Sequence, residues 1–180
     1  KRHSGDTKVT DLLYKCYGQA ILDDDREEDF EEILKVIKDR YDSIINGLEL
    51  TISLDDEFKT IRENFSKKIG RDYAASRGEY LNGIIMAAYL GYEFIDAAEV
   101  IFFDEEGEFD AEKTNEVLSE RLAHTERAVI PGFYGSNPDG TIHTFSRGGS
   151  DITGSIVARA VHADMYENWT DVSGFLIADP

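Results

Sequence analysis

The chain has 180 residues, and its 37 acidic residues outnumber its 19 basic ones, giving a formal net charge of −18. A surface this acidic repels phosphate backbones, so we exclude nucleic-acid binding through a basic face. Hydrophobic residues make up 41% of the chain, too many for a disordered acidic tail, and no apolar run approaches the ~20 residues that cross a bilayer. The single cysteine, Cys16, rules out a disulfide framework and a cysteine-based zinc site. We therefore expect a cytoplasmic α/β domain with no membrane partner.

The first half of the chain predicts four amphipathic helices. Apolar residues recur at helical spacing over 6–18, 30–47, 58–70 and 77–91, and each of these segments ends at a glycine. Eight of the ten residues from 23 to 32 are acidic, which is typical either of an interaction tail or of the first turn of a helix. We favour the helix start, because carboxylates stabilise the positive end of the helix dipole.

The second half is richer in glycine and predicts short strands. We expect buried strands at 100–103, 128–130 and 165–169, helices at 111–126 and 151–163, and a β-hairpin over 132–145 around the turn Ser136–Gly140. Strands that alternate with helices predict a three-layer αβα sandwich with a mostly parallel sheet. The helices around 33–45 and 58–69 should pack as a separate helical layer at its edge.

The segment 146–155, with the sequence SRGGSDITGS, is the strongest candidate for a binding site. A glycine pair beside a helix N-terminus offers amide donors and a positive dipole end, and Arg147 adds a guanidinium fork for a carboxylate or phosphate. The alternative is an ordinary helix start, capped by Ser150 or Asp151. Neither standard nucleotide fingerprint is present, so the pattern alone leaves both interpretations open.

Two further segments are weaker candidates. Ser76-Arg77-Gly78-Glu79 lies at the start of a predicted helix, where Glu79 could bind an ammonium group or simply stabilise that start. The polar segment 169–174 follows a predicted strand, where open α/β sheets bind ligands. The four histidines show no paired spacing, so we expect no metal site formed by the protein.

Together these segments resemble aspartate kinases, which belong to the amino-acid kinase superfamily. The resemblance rests on KVTDLL (8–13), SRGE (76–79), VIPGFYGS (129–136), TFSRGGSD (144–151), ENWTDVSGF (167–175) and ADP (178–180), which follow the family's order. Members of the family begin with a strand carrying Lys-Phe-Gly-Gly and continue into the rest of a nucleotide lobe and two ACT domains. The resemblance thus implies that residues 1–180 are part of one catalytic domain, an internal fragment that is inactive on its own.

The activity implied by the resemblance is phosphoryl transfer from ATP to the side-chain carboxylate of L-aspartate. The product is 4-phospho-L-aspartate, at the first step toward lysine, threonine and methionine. A carboxylate is already a nucleophile, so this reaction needs positioning and positive charge rather than a general base. Mg²⁺ would be held mainly by ATP phosphates and water. The resemblance also implies a homo-oligomeric full-length protein.

The resemblance assigns roles to particular residues. Arg147 and Asp151 are implied to be catalytic, Arg147 clamping a substrate carboxylate and Asp151 orienting the polar network. The implied substrate-binding residues are Thr10, Glu79, Phe133, Arg147, Ser150 and Asp151, with Glu79 on the α-ammonium and Gly132-Phe133 as a wall of the pocket. The implied nucleotide-binding residues are Gly148, Gly149, Thr170, Asp171 and Asp179. We expect Glu79, Arg147, Ser150 and Asp151 to face one cleft.

Two alternatives stay open from the sequence. The chain could belong to a kinase for another acceptor, such as glutamate, N-acetylglutamate or a nucleoside monophosphate. It could also be a module that binds an amino acid without catalysis. The paired motifs favour a free α-amino acid, because one supplies an anion for the ammonium group and the other a cation for the carboxylate.

Overall fold

The computed structural model describes residues 5–22, 27–146 and 148–169 of the chain. Along these residues the elements are α1 (Val9–Ile21), α2 (Glu27–Gly47), α3 (Asp55–Ser66), α4 (Arg71–Leu90), β1 (Glu93–Phe94), α5 (Ala97–Val100), α6 (Ala111–Leu122), β2 (Ala128–Val129), β3 (Tyr134–Ser136), β4 (Ile142–Thr144) and α7 (Gly149–Ala160). None of the described helices is long and apolar enough to span a membrane.

The first four helices share one hydrophobic core. The ring of Phe65 on α3 lies 5.4 Å from Tyr17 on α1, 6.4 Å from Phe30 on α2 and 6.1 Å from Tyr73 on α4. Each helix therefore contributes a ring to the cluster around Phe65, and such pairs add about 0.5–1.5 kcal/mol each beyond their buried area. Cys16 is fully buried in the same core. The helical layer predicted around 33–45 and 58–69 is present, joined to α1 and α4.

Several helix boundaries differ from the predicted ones, and two of them are explained by glycines. Helix α1 continues through Gly18 to Ile21, because one glycine inside a helix costs only about 1 kcal/mol. Helix α4 begins at Arg71, six residues earlier than predicted, after Gly70, whose φ of 130° suits glycine. Residues 76–79 consequently lie inside α4 and not at its start. The predicted end of this helix is confirmed, with Gly91 in the left-handed conformation.

The second half forms two small sheets. Strands β1 and β2 pair in parallel, with Glu93 opposite Ala128, and β3 and β4 pair antiparallel, with Tyr134 opposite Thr144. The antiparallel pair confirms the predicted hairpin, whose turn is closed by the Gly140 amide donating to the Asn137 carbonyl at 2.9 Å. A second core lies beneath these sheets and consists of Ile95, Ala97, Val100, Ile101, Leu118, Tyr134 and Ala160.

Two predicted strands are corrected by the structure. Val100 ends the one-turn helix α5, which forms because the Asp96 carboxylate accepts a hydrogen bond from the Ala98 amide at 3.0 Å. The extended part of that segment is limited to residues 101–103, which join their neighbours by isolated bridges. Residues 165–169 pair with no strand in the described part of the chain, and Met165 and Trp169 are 74% and 89% exposed. A buried strand there was therefore a wrong prediction.

Candidate functional site

Glu79 projects from the middle of α4 into a hollow of about 260 Å³ between α1, α2 and α4. The hollow is lined by Val9, Thr10, Arg40, Tyr41, Ile44, Gly78, Glu79 and Asn82. Thr10 comes close to Glu79 because α1 packs on α4 through Leu13, which is fully buried. Two predicted substrate-binding residues from segments 69 positions apart (79 minus 10) therefore meet in one place.

One oxygen of the Glu79 carboxylate lacks a hydrogen-bond donor among the described residues. This oxygen, Oε2, is buried. Burial raises the pKa of Glu79 above its usual value, although a hydrogen bond to its own backbone opposes that effect. A buried carboxylate oxygen without a donor is costly, and a bound cationic group would remove that cost.

The helical turn that carries Glu79 is held from the α2 side. The Tyr41 hydroxyl donates to the Gly78 carbonyl at 2.9 Å, inside the protein. Burial raises the pKa of Tyr41, and the nearby Glu79 charge raises it further. The hydroxyl therefore stays protonated and keeps donating, which fixes the backbone next to Glu79.

Arg77, which belongs to the same segment 76–79 as Glu79, is buried in the protein. Only 5% of its surface is exposed, and its guanidinium lies 4.5 Å from the Tyr73 ring, 4.2 Å from Tyr80 and 5.6 Å from Tyr134. Its Nε and Nη2 both donate to the Ser76 hydroxyl, at 3.1 and 3.0 Å. Because Tyr134 belongs to β3, this cation–π cluster ties α4 to the hairpin.

The glycine-rich segment builds the start of α7 without a side-chain cap. Gly148 is the N-cap residue, with φ 65°, and within the described part of the chain no side chain accepts from the first-turn amides. Ser150 and Asp151 lie in the first turn and are exposed, so neither is the cap that the alternative interpretation required. The carboxylate of Asp151 instead accepts a hydrogen bond from the side-chain amide of Asn168 at 3.0 Å.

The backbone around Phe133 is fitted closely to this helix start. The Phe133 amide donates to Thr153 Oγ1 at 3.0 Å, and that hydroxyl donates to the Gly149 carbonyl at 2.8 Å. A Cβ atom at Gly149 would lie 2.7 Å from the Phe133 Cβ and 2.8 Å from the Phe145 Cβ. A Cβ at Gly132 would lie 3.1 Å from Ser150. Phe133 is therefore packed closely against Gly149, and its role as a wall of the substrate pocket stays a prediction.

The α7 residues line different hollows from that of Glu79. Ser150 and Gly132 border a hollow of about 730 Å³ between α6, β2 and α7, and Asp151 borders one of about 390 Å³ that also contains Arg159. Arg147, Thr170, Asp171 and Asp179 lie outside the described residues. The convergence of Glu79, Arg147, Ser150 and Asp151 on one cleft stays a prediction.

Sequence reasoning missed two polar residues of the Glu79 hollow, Arg40 and Asn82. Asn82 could have been found, because residues three apart on a helix share a face with Glu79. Arg40 was missed because the interpretation of its helix rested on the acidic residues at 23–32. Among the described residues, no three His, Cys, Asp or Glu side chains come together as a metal site.

Comparison with known proteins places the chain in a family. The sequence profile of the Amino acid kinase family matches residues 3–180, so the chain belongs to this family. Aspartokinase 3 of Bacillus subtilis (strain 168) is 35% identical over 195 residues, covering 100% of this chain and 42% of that protein. An aspartokinase of Saccharomyces cerevisiae is 27% identical over 207 residues, covering 96% and 38%.

Solved structures agree with this assignment. The crystal structure of Clostridium acetobutylicum aspartate kinase matches with a TM-score of 0.89 and 50% identity, covering 100% of this chain and 41% of that one. Escherichia coli aspartokinase III, in complex with aspartate and ADP, matches with a TM-score of 0.76 and 22% identity over 94% of this chain and 41% of that one, which shows the fold alone. The fold is that of an incomplete αβα amino-acid kinase domain, and the chain spans less than half the length of these relatives.

Proposed function

We propose that the chain is part of the catalytic domain of an aspartate kinase. The full-length protein would transfer the γ-phosphoryl group of ATP to the side-chain carboxylate of L-aspartate and release ADP and 4-phospho-L-aspartate. The observation that carries this proposal is that Glu79, whose buried Oε2 atom has no donor among the described residues, lines a hollow together with Thr10. Similarity to aspartokinases along the whole chain supports the choice of acceptor.

Glu79 is the proposed ligand of the substrate ammonium group. An ammonium ion would donate to Oε2 and offset the cost of burying the carboxylate. The hydroxyl of Tyr41 holds the adjacent backbone in place, so the anion is preorganised before the substrate arrives. Thr10 lines the same hollow and offers its hydroxyl to the substrate.

The phosphoryl-transfer end is proposed at the start of α7. No side chain of the described residues caps the start of α7, so the amides of Gly148 and Gly149 can donate to a phosphate or carboxylate oxygen. Arg147 would hold the reacting carboxylate by a two-point contact, and Ser150 and Asp151 would complete the polar network. Thr170, Asp171 and Asp179 are proposed at the nucleotide, on the family resemblance alone.

Mg²⁺ is proposed to enter with ATP, held mainly by phosphate oxygens and water, where it neutralises charge on the transferring group. A homo-oligomeric, cytoplasmic full-length protein completes the proposal. These parts rest on the family resemblance and on no contact in the structure.

Acceptor-dependent ADP release from the full-length protein tests the proposal. We expect release with L-aspartate and none with N-acetyl-L-aspartate, because the acetyl group removes the charge that Glu79 binds. Release with glutamate, N-acetylglutamate or a nucleoside monophosphate in place of L-aspartate would contradict the assigned acceptor. Calorimetric binding of L-aspartate without any ADP release when ATP is present would show a binding module instead of a kinase.

A further inference from the structure

The outer edge of β4 is tied to the start of α4 by one hydrogen bond. The Thr144 amide donates to the Asp72 carboxylate at 3.0 Å, although the two residues are 72 positions apart in the chain. The next amide, that of Phe145, donates to the Phe133 carbonyl inside the hairpin. Inward and outward amides alternate along an antiparallel strand, so the Thr144 amide points away from β3. Asp72 therefore supplies an acceptor that β3 does not provide.

The part of α4 that carries Asp72 is fixed by the other helices. The guanidinium of Arg71 lies 4.5 Å from the Tyr14 ring of α1. Tyr73 is buried, and its hydroxyl oxygen accepts a hydrogen bond from the Asn64 side-chain amide of α3 at 2.9 Å. Both chain neighbours of Asp72 are thus held by the helical core, and its carboxylate has a fixed position against which the hairpin is held.

The opposed residues Tyr134 and Thr144 of the hairpin lead directly to the start of α7. Phe133 precedes Tyr134, and Phe145 follows Thr144. Gly149 lies between the two phenylalanines, because a Cβ atom there would be 2.7 Å from the Phe133 Cβ and 2.8 Å from the Phe145 Cβ. Packing this close transmits displacements, so a shift of the Thr144 backbone moves the start of α7.

We propose that Asp72 is a positioning residue, which holds the start of α7 at a fixed distance from Glu79 through its hydrogen bond to Thr144. Asp72 and Glu79 lie on the same helix, α4, so one rigid element sets the place of both ends of the site. This inference rests on the proposed function and assigns Asp72 no contact with either substrate. A misplacement of about 1 Å at the reacting groups can cost about 10²-fold in rate, so a bond that fixes this distance affects the chemical step.

The competing role for Asp72 is to stabilise the first turn of α4, where a carboxylate interacts favourably with the helix dipole. The two roles depend on different properties of the side chain. The bond to Thr144 needs an acceptor oxygen, whereas the dipole interaction needs a negative charge. Asparagine keeps the oxygen and loses the charge, and alanine loses both, so the two substitutions separate the roles.

The test measures kcat, KM for L-aspartate and Tm in the full-length protein. Asp72→Ala should lower kcat and kcat/KM together, by about 10- to 100-fold. KM should change by less than about threefold, because Glu79 stays in place on α4. Asp72→Asn should keep kcat within about threefold of wild type, because its side-chain oxygen accepts the Thr144 amide. Tm should fall in both variants, since both lose the charge at the start of α4.

Asp139→Ala is the matched control, because the Asp139 carboxylate also accepts a backbone amide of the hairpin, that of Thr141 at 2.9 Å. This bond lies in the turn, at the opposite end of the hairpin from α7. Tm should fall in this variant while kcat stays within about threefold of wild type. An equal loss of kcat in Asp72→Ala and Asp72→Asn would overturn the proposal. So would a kcat of Asp72→Ala close to that of wild type, or an equal loss in Asp139→Ala.

Hydrogen exchange separates this inference from the proposed function. The peptide that contains Thr144 and Phe145 should exchange about tenfold faster in Asp72→Ala than in wild type and Asp72→Asn, and Asp139→Ala should leave it unchanged. A wild-type protein that releases no ADP with L-aspartate would contradict the proposed function, and exchange would then decide the role of Asp72. Faster exchange in Asp72→Ala alone would support its hold on the hairpin, and equal exchange in all four proteins would refute it.

Discussion

The two ends of the proposed substrate site are built in opposite ways. Glu79 lies within a long helix whose neighbours are buried, and its adjacent carbonyl is held by Tyr41 from another helix. Ser150 and Asp151 lie in the first turn of α7, exposed, after a glycine pair with a left-handed residue. The ammonium end is thus fixed by core packing, whereas the phosphoryl end depends on backbone conformation and close approach.

Because of this difference, we expect substitutions near Glu79 to change activity and substitutions near Gly149 to change stability. Around Glu79 a side chain can change its charge while the surrounding helix packing persists. Around Gly149 even one added methyl group meets backbone and Cβ atoms. Three substitutions test this contrast, in decreasing order of the effect that we predict.

The largest effect is expected at Arg147. If it holds the reacting carboxylate, Arg147→Ala removes a contact worth about 2.7–4 kcal/mol, which lowers kcat/KM for L-aspartate roughly 10²–10³-fold. Arg147→Lys should recover little, because a point charge does not reproduce the planar fork. The measurement is kcat/KM in the full-length protein, together with Tm in the absence of ligands.

The control for this prediction is the ligand-free Tm, which should hardly change. An Arg147→Ala protein that keeps activity within about threefold would remove Arg147 from the proposed site. A Tm lowered by about ten degrees, well over 1 kcal/mol for a domain of this size, would show that the arginine is structural.

Glu79→Gln should weaken substrate binding and stabilise the fold. Loss of the charged contact to the ammonium group should raise KM for L-aspartate about 10- to 100-fold. Burial raises the pKa of Glu79 above 4.5, so the folded protein holds this proton more tightly than the unfolded chain does. The stabilisation that the bound proton contributes is therefore full below pH 4.5, and it is lost as the pH rises through the pKa of Glu79 in the folded protein.

At neutral pH the ionised Glu79 therefore lowers the free energy of unfolding, and glutamine removes that cost. Urea unfolding at several pH values checks this: wild type should lose stability relative to Glu79→Gln as pH rises above 4.5. A variant that is less stable than wild type at pH 7 would show that the carboxylate has a structural partner instead.

The smallest effect is expected at Gly149. Gly149→Ala would place a Cβ atom 2.7 Å from the Phe133 Cβ, and such overpacking costs about 1–3 kcal/mol. Gly18→Ala is the matched control, because Gly18 lies inside α1 with nothing within 4 Å of the added atom. It should stabilise the chain by about 0.5–1 kcal/mol. Urea midpoints at unchanged slope measure both, and equal shifts would remove the contrast between the two regions.

The same contrast explains which features could be predicted from the sequence. Helices α2 and α3 were predictable because their apolar residues keep one period, and the hairpin because its turn carries Asn, Pro, Asp and Gly. The segment 100–103 was misassigned at Val100 because an apolar run has no period, and the Asp96 cap that decides it lies four residues upstream.

That Arg40 and Glu79 line the same hollow could not be predicted, since it depends on how α1 packs between α2 and α4. Nor could the burial of Arg77, whose three tyrosine neighbours come from α4 and β3. Local sequence patterns predict helices, strands and motifs. Which charged side chains meet through helix packing is known only from the folded structure.

The burial of Cys16 has a practical consequence. Its thiol is fully buried, and burial raises its pKa to about 12, so almost no reactive thiolate exists at neutral pH. Because it is the single cysteine of the chain, thiol reagents should leave the folded chain unlabelled. A cysteine introduced at Trp169, which is 89% exposed, would carry a fluorescent dye at that position alone, beside α7 and far in sequence from the helical core.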